Sequence, residues 1–466
     1  MIENMDLGKI LKRALKNGGD FAEIFEELSH STHLQREGRR FEKIFSGADA
    51  GVGLRVVHDG KTAYAYTNEI SEASLLGLAS DLADALRAGN FDRDLGLQRK
   101  EADWRQVVKI DPTTVGLPDK IKVLQEADDL AWSIDSRLAQ VTTSYRDQLR
   151  HIRIANSYGE LCEDRQIYVV FVVQAVASDG ENLQTGYEPL GGTQGFEILG
   201  GDAALRTAET AARRAIRMLE APLAPSGPMT VVVAAEAGGT LVHEAVGHGL
   251  EADLAREGLS VYQDKIGQTV AGPAITVLDD PTLPGKRGSF LFDDEGTPSQ
   301  RNVLIDRGVL KSYMNNRIYA ARDGVAPTGN GRRESYRHRP IVRMTNTMIA
   351  PGQDDPAAIL KSVDRGLYVT RMGSGQVNTV NGDFVFEVSE GFLIRHGRLG
   401  EAVRGATLTG NGPTVLKTID RIGNDMGYGI GTCGKDGQGV PVADAQPTLR
   451  IPEITVGGQG AIMTQE

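Results

Sequence analysis

Cysteine is nearly absent from this chain: Cys162 and Cys433 are the only two in 466 residues. They lie far apart in sequence, so no disulfide framework is available and each thiol is free to be a core residue or a ligand. Long apolar runs are also missing, since no segment approaches the roughly 18 residues needed to span a bilayer. The longest run, "IYVVFVVQAVA", is rich in β-branched residues and reads as a buried strand. The first residues, "MIENMDLGKILKRALKNGGD", contain no apolar stretch followed by a small-residue cleavage site, so a cytoplasmic protein with no membrane partner is expected. An excess of positive charge is lacking as well. The formal net charge of -11 is spread along the chain, which offers no phosphate-binding surface and argues against a nucleic-acid partner. Neither a solenoid repeat nor a low-complexity tract is present.

What remains is a chain long enough for two large domains and rich in turns, with 56 glycines. Asp6 is placed to cap a first helix whose apolar face is Leu7, Ile10, Leu11, Ala14 and Leu15, ended by Gly18 and Gly19. Alternating apolar and polar residues from 21 to 69 predict an antiparallel meander, followed by a helix over 71–88. After an exposed, proline-containing connection at 98–118 come a helix over 119–135, two long strands up to residue 180, and a helix over 202–220. The proline cluster "APLAPSGPM" at 221–229 resists both helix and central strand and is the best boundary. The predicted class is α+β in two domains, 1–222 and 223–466, with mixed or antiparallel sheets, packed helices, and a metal-bearing helix in the C-terminal half.

That helix is "HEAVGHGLEAD", residues 243–253. The common zinc-peptidase pattern spaces two histidines four apart with a glutamate general base beside the first. Here His243 and His248 are five apart, and on a regular helix they would point about 140° away from each other. A π-bulge with its i to i+5 bond would return both to one side, and Gly247 and Gly249 make local distortion cheap. Glu244 stands where a general base for an acidified water belongs. The competing reading is two histidines on different faces of an ordinary helix. A catalytic site also needs a third ligand, for which Glu251, Asp253 and Asp264 are near in sequence and His338 and Cys433 are distant. Cys433 lies in "GYGIGTCGKDGQG", where glycines permit close backbone approach, although a buried apolar cysteine explains it as well. Gly429, Gly434 and Lys435 nearly spell a phosphate loop, but Asp436 replaces its Ser or Thr and no helix can follow, so nucleotide binding is discounted.

Other segments carry weaker expectations. "GRRESYRHRP" could hold a peptide carboxylate through Arg337 or contact substrate through His338, or it could be a basic loop paired with the acidic 293–296 segment. Lys435 is a candidate to stabilise an oxyanion. Asp293, Asp294 and Glu295 read as a polar turn rather than a calcium loop. Residues 377–391 could bind peptide by strand addition or simply pair within a sheet.

Together with "GVGLRVVHDGKTAYAYTNEIS", "FDDEGTPSQRNVLIDRGVL", "GNGRRESYRHRPIVRMTNT", "GQVNTVNGDFVFEVSEGFLI", "EAVRGATLTGNG" and "GTCGKDGQ", these segments make the chain resemble the TldD/PmbA metallopeptidase family, once labelled modulators of gyrase, and its TldD branch in particular. The resemblance covers nearly the whole length. It implies zinc on His243, His248 and Cys433 with Glu244 as catalytic base, and a zinc-dependent peptidase acting on unfolded or extended peptides. It further implies dimers, with a second copy or a zinc-less paralogue, that enclose the site in a cavity. Family members trim modified peptide precursors and degrade unstructured proteins. The alternative is a peptide-binding or maturation partner with a structural metal, but structural zinc sites are normally closed by four protein ligands and only three are named here.

Overall fold

A computed structural model describes residues 5–86, 95–102 and 104–460 of the chain. The predicted first helix is α1 (Leu7–Ala14), capped by Asp6, whose side chain accepts from Lys9 N–H at 3.0 Å. Three antiparallel strands follow: β1 (Phe21–Glu37), β2 (Arg40–His58) and β3 (Lys61–Thr67). Helix α2 covers Glu72–Ala85, and the end of its expected range, at Arg87 and Ala88, lies outside the described residues. The expected exposed connection contributes a short strand, β4 (Gln98–Arg99), and leads to α3 (Leu117–Ile134). Long strands β5 (Leu138–Asn156) and β6 (Glu160–Ser178) come next, then β7 (Leu183–Gly192) and α4 (Ala203–Glu220).

All seven strands form one sheet in the order β3-β2-β1-β5-β6-β4, with β7 also paired to β6. Because side chains alternate along a strand, each face can be read from the register. Ile24, Leu34, Leu54, Tyr145 and Phe171 share the face that the helices cover: α1 and α2 pack at one end through Leu11 and Ala79, α3 and α4 at the other through Leu124 and Ala211. The opposite face carries Glu23, Phe25, Glu27, Arg55, Arg150 and Ile154.

The second half is built on two further sheets. Strand β8 (Gly227–Val233) runs parallel to Arg365–Val377 and antiparallel to Leu449–Gly457 at the middle of a seven-stranded sheet. A six-stranded sheet includes Asn346–Ile349 and the hairpin of Gly427–Lys435 with Gln438–Gln446. One hydrophobic core joins both sheets to Leu241, Val242, Ala245 and Val246, the apolar residues around the histidines. The strand Asp383–Arg395 has partners along both edges, so the strand-addition expectation for 377–391 is replaced by ordinary pairing. The chain is therefore α+β in two domains. No described helix is long and apolar enough to cross a membrane.

The two halves meet through charge. Phe292, Asp294, Glu295, Arg333 and Tyr336 cover the near end of the uncovered sheet face. Asp293, Asp294 and Glu295 are 1%, 3% and 0% exposed, which corrects the expectation of a polar turn: they form a buried dock. Arg55 bridges Glu23 and Glu295, each at 2.7 Å, Arg333 also binds Glu23, and Arg150 bridges Glu27 at 2.7 Å and Asp294 at 2.9 Å. Burial alone would raise the Glu23 carboxyl, but Arg55 and Arg333 outweigh it and hold it below the usual carboxylate range. Charges taken out of water persist only when paired, so each half completes the other. Arg333→Ala is expected to cost about 3–5 kcal/mol of stability by removing one of the two guanidinium partners of buried Glu23. The denaturation midpoint reads the loss, and adding Glu23→Gln to the Arg333→Ala variant should recover part of it.

Candidate metal centre

The segment that opens at Gly239 is a composite helix. Thr240–Val242 is α-helical, His243–Gly247 is a π-turn, and His248–Leu250 closes as a 3₁₀ turn. His248 N–H donates to the His243 carbonyl, the i to i+5 bond that the histidine spacing requires. Widening leaves helical carbonyls without their usual partners, and side chains from the next loop take them up: Tyr262 Oη donates to the Ala245 carbonyl at 3.3 Å and Ser260 Oγ to the Gly249 carbonyl at 2.5 Å. The role expected of Gly247 needs correction. Its backbone angles, φ -55 and ψ -55, are ordinary helix, and what it supplies is space, since a Cβ there would sit 2.1 Å from Met344 Sδ. Gly249 likewise makes room for the Tyr262 ring.

The π-turn stacks the two imidazoles edge to face with centroids 5.2 Å apart. Across from them, the strand Gly427–Lys435 presents Cys433, whose Sγ is 3.5 Å from His248 Nε2. Arg343, fully buried, fixes this hairpin by donating to the Cys433 and Gln438 carbonyls. One ligand atom from each of His243, His248 and Cys433 lies within 4.8 Å of the others, and among the described residues this is the group of three or more His, Cys, Asp or Glu so arranged. Tetrahedral bonds of about 2.0–2.3 Å place neighbouring donors roughly 3.3–3.6 Å apart, so small side-chain movements would let these atoms share one ion. Imidazole nitrogen with thiolate sulfur suits a divalent transition ion rather than magnesium or calcium. His243 Nδ1 is buried with no hydrogen-bond partner, 4.0 Å from Asp444 Oδ2.

Electrostatics favours the binding-competent thiolate. Burial would raise the Cys433 thiol, but hydrogen bonds and charge from His243 and His248 prevail and bring it down to about 5. For His248, burial opposes the charged form, while Glu251 and Cys433 raise it well above the ordinary imidazole value. Glu251, fully buried, binds His248 Nδ1 at 2.9 Å and so leaves Nε2 toward Cys433. Although burial pushes the Glu251 carboxyl up, Lys435 and His248 bring it to about 2. Glu244 is half-buried and has no hydrogen-bond or ion-pair partner among the described residues.

Of the nearby ligand candidates, Glu251 therefore sits behind His248. Asp253 binds Lys435 at 2.7 Å, and Asp264 is a surface residue 3.4 Å from Arg256. Lys435 donates to Glu251, Asp253 and the Val342 carbonyl. These bonds place its ammonium on the Nδ1 side of His248, where its donors are already engaged. Arg337 is held by Asp49 at 2.6 and 3.1 Å and stacked on Tyr336, so its guanidinium is already engaged. His338 is half-buried, with Nδ1 3.1 Å from Ser335 Oγ. Sequence reasoning missed Tyr262, Arg343, Met344 and Asp444, all of which act across long loops. Glu251 carried a signal in its position three residues after His248.

Three family models match the chain: PmbA/TldA metallopeptidase domain 1 over residues 22–88, the central domain over 110–219 and the C-terminal domain over 226–458. A Haemophilus influenzae protein named metalloprotease TldD homolog is 38% identical over 448 residues, 94% of this chain and 93% of that protein. A Saccharolobus solfataricus protein named zinc metalloprotease TldD homolog is 26% identical, over 97% of this chain and 99% of that one. The fold is shared with a Thermotoga maritima crystal structure described as a candidate modulator of a DNA gyrase: TM-score 0.78, 23% identity, covering 94% of this chain and 96% of that chain.

Metal-free protein carrying Cys162→Ala is expected to show ultraviolet thiolate absorbance at neutral pH that disappears as the pH falls through about 5. In the Cys433→Ser protein that signal should be missing, since burial pushes Cys162 up to about 12.

Proposed function

Because the chain belongs to the PmbA/TldA metallopeptidase family, we propose that it is a zinc-dependent peptidase in which His243, His248 and Cys433 hold the zinc and Glu244 is the general base. The observation that carries this reading is the convergence of those three donor side chains on one point, with Glu244 on the same widened turn. The name of the Saccharolobus relative and the nitrogen and sulfur donor set support zinc as the ion. When bound, zinc supplies Lewis acidity toward water and toward a peptide carbonyl.

The remaining chemistry belongs to the chain. Glu244, with its carboxylate uncommitted, takes a proton from the attacking water and hands it to the leaving amine nitrogen. Glu251 accepts from His248 Nδ1–H and so keeps the Nε2 lone pair for the ion, while Lys435 and Asp253 hold Glu251 in place. His338 is the substrate contact we retain. Three protein donors leave a tetrahedral ion one position for reactants, which favours catalysis over a closed structural site. The substrates in this reading are unfolded or extended peptides, and the working unit is a cytoplasmic dimer with a second copy or a zinc-less paralogue. We place the domain division at 1–222 and 223–466. In support, α4 ends at Glu220 and Ala224 already packs in the second core.

Glu244→Gln should keep its zinc, measured by elemental analysis, and lose cleavage of an unstructured peptide mixture; cleavage at the wild-type rate would overturn its role as base. Cys433→Ala should purify with less zinc, and an unchanged metal content would remove Cys433 from the ligand set. Glu251→Gln is expected to weaken zinc affinity roughly 10–100-fold, read by competition with a chromogenic chelator.

A further inference from the structure

Only the near end of the uncovered sheet face is capped by the second half. Further along, the same face and the hairpin that carries Cys433 border a half-open cavity of about 960 Å³. The cavity meets the hairpin at Thr432 and Pro441, which are paired neighbours. Cys433 is the next residue along the strand, and in a pleated strand its side chain points to the other face, where it packs in the core with the histidine segment. The cavity is thus separate from the candidate metal centre while sharing a strand with it.

Its charge is unusual in a protein of net charge -11. Lys43, Arg146, Arg287 and Arg332 line it, and none has an ion-pair partner among the described residues. Arg287 donates to the Gly431 carbonyl and to Thr432 Oγ1, and its Nε is buried with no hydrogen-bond partner. Arg332, 3% exposed, donates to the carbonyls of Met344 and Pro441. Arg146 Nε donates to His33 Nε2 at 3.2 Å. The acidic residues on the wall are committed elsewhere, Asp147 to Lys120 and Tyr145, and Glu334 to the Gly439 N–H. Burial, and after it the positive charges of Arg146 and Lys43, bring the His33 imidazole down to about 4. At the contact between the two halves Arg55, Arg150 and Arg333 are paired with carboxylates. In the cavity Lys43 and Arg146 are exposed, and Arg287 and Arg332 meet neutral oxygens, so no carboxylate of the wall neutralises the four.

We infer that this cavity is an anchoring site for carboxylate groups of an extended peptide, held by Lys43, Arg146, Arg287 and Arg332 at a distance from the reacting atoms. Guanidinium groups present paired donors in the plane that a carboxylate matches, and removal from bulk water strengthens the attraction. The peptide as ligand rests on the peptidase reading; the preference for carboxylates rests on the cavity itself. Two sources supply that chemistry, the C-terminal carboxylate and acidic side chains.

The test uses full-length Glu244→Gln protein, with its metal in place and again after chelation, and fluorescein-labelled unstructured peptides read by anisotropy. One peptide has several glutamates and a free C-terminus, a second has glutamines with a free C-terminus, and a third has glutamines with an amidated C-terminus. The glutamate peptide should bind roughly tenfold or more tightly than the amidated one, a difference that chelation leaves in place. The position of the second peptide separates the C-terminal source from the side-chain source. Lys43 and Arg146 are exposed, so Lys43→Gln with Arg146→Gln should fold normally, and together with Arg287→Gln should abolish the preference. Equal binding of all three peptides, or an undiminished preference in both variants, overturns the proposal. Wild-type protein that binds the glutamate peptide preferentially but cleaves none of the three defeats the peptidase reading and leaves the anchoring site standing.

Discussion

The backbone hydrogen bond from His248 N–H to the His243 carbonyl sets the terms for the candidate metal centre. Five residues separate the histidines, and only a widened turn brings their rings to one side. A π-turn is costly on its own because it strands carbonyl groups and loosens packing along the helix axis. The surrounding fold offsets that cost with Tyr262 and Ser260 on the freed carbonyls and with Met344 filling the space above Gly247. The widening is therefore a property of the second domain's core, and the short helix could not hold it alone.

A second level of order lies behind the ligands. Glu251, fixed by Lys435, orients His248, and Arg343 anchors the hairpin through the Cys433 carbonyl. The arrangement joins a histidine on a helix to a cysteine nearly two hundred residues later on a strand, and each is held by a charged side chain from outside its own turn or strand, Glu251 for His248 and Arg343 for Cys433. The same device works at larger scale between the domains, where Glu23, Arg55, Arg333 and Glu295 compensate one another out of water. In both places a charged group becomes usable only because a distant segment supplies its partner. The cavity cations beside the Cys433 hairpin depart from that pattern.

Much of the fold was legible in the sequence. The strands and helices of the first half follow from period-2 and period-3.6 patterns, and α1, α2 and α4 begin within a residue of where their caps and apolar faces put them. The spacing of His243 and His248, with glycines between and after, pointed to a π-bulge. The sequence could not say that Gly247 serves Met344 rather than backbone freedom, because that depends on a side chain nearly a hundred residues away. Strand β7 passed unnoticed, since "LQTGYEPLGG" has glycines and a proline where an alternating pattern is needed. Asp293 to Glu295 looked like a solvated turn for a similar reason: composition reports polarity and does not report burial.

The sequence by itself determined most elements of the first half, the α+β class and the residues able to ligate a metal, because these depend on local periodicity and on the chemistry of each side chain. Tertiary structure decided which of those residues meet. It set Cys433 against the imidazoles, paired Lys435 with Glu251 and Arg337 with Asp49, and left Arg287 and Arg332 without counter-charges. Distances between remote segments follow from how sheets pack and pair, and no local pattern encodes them.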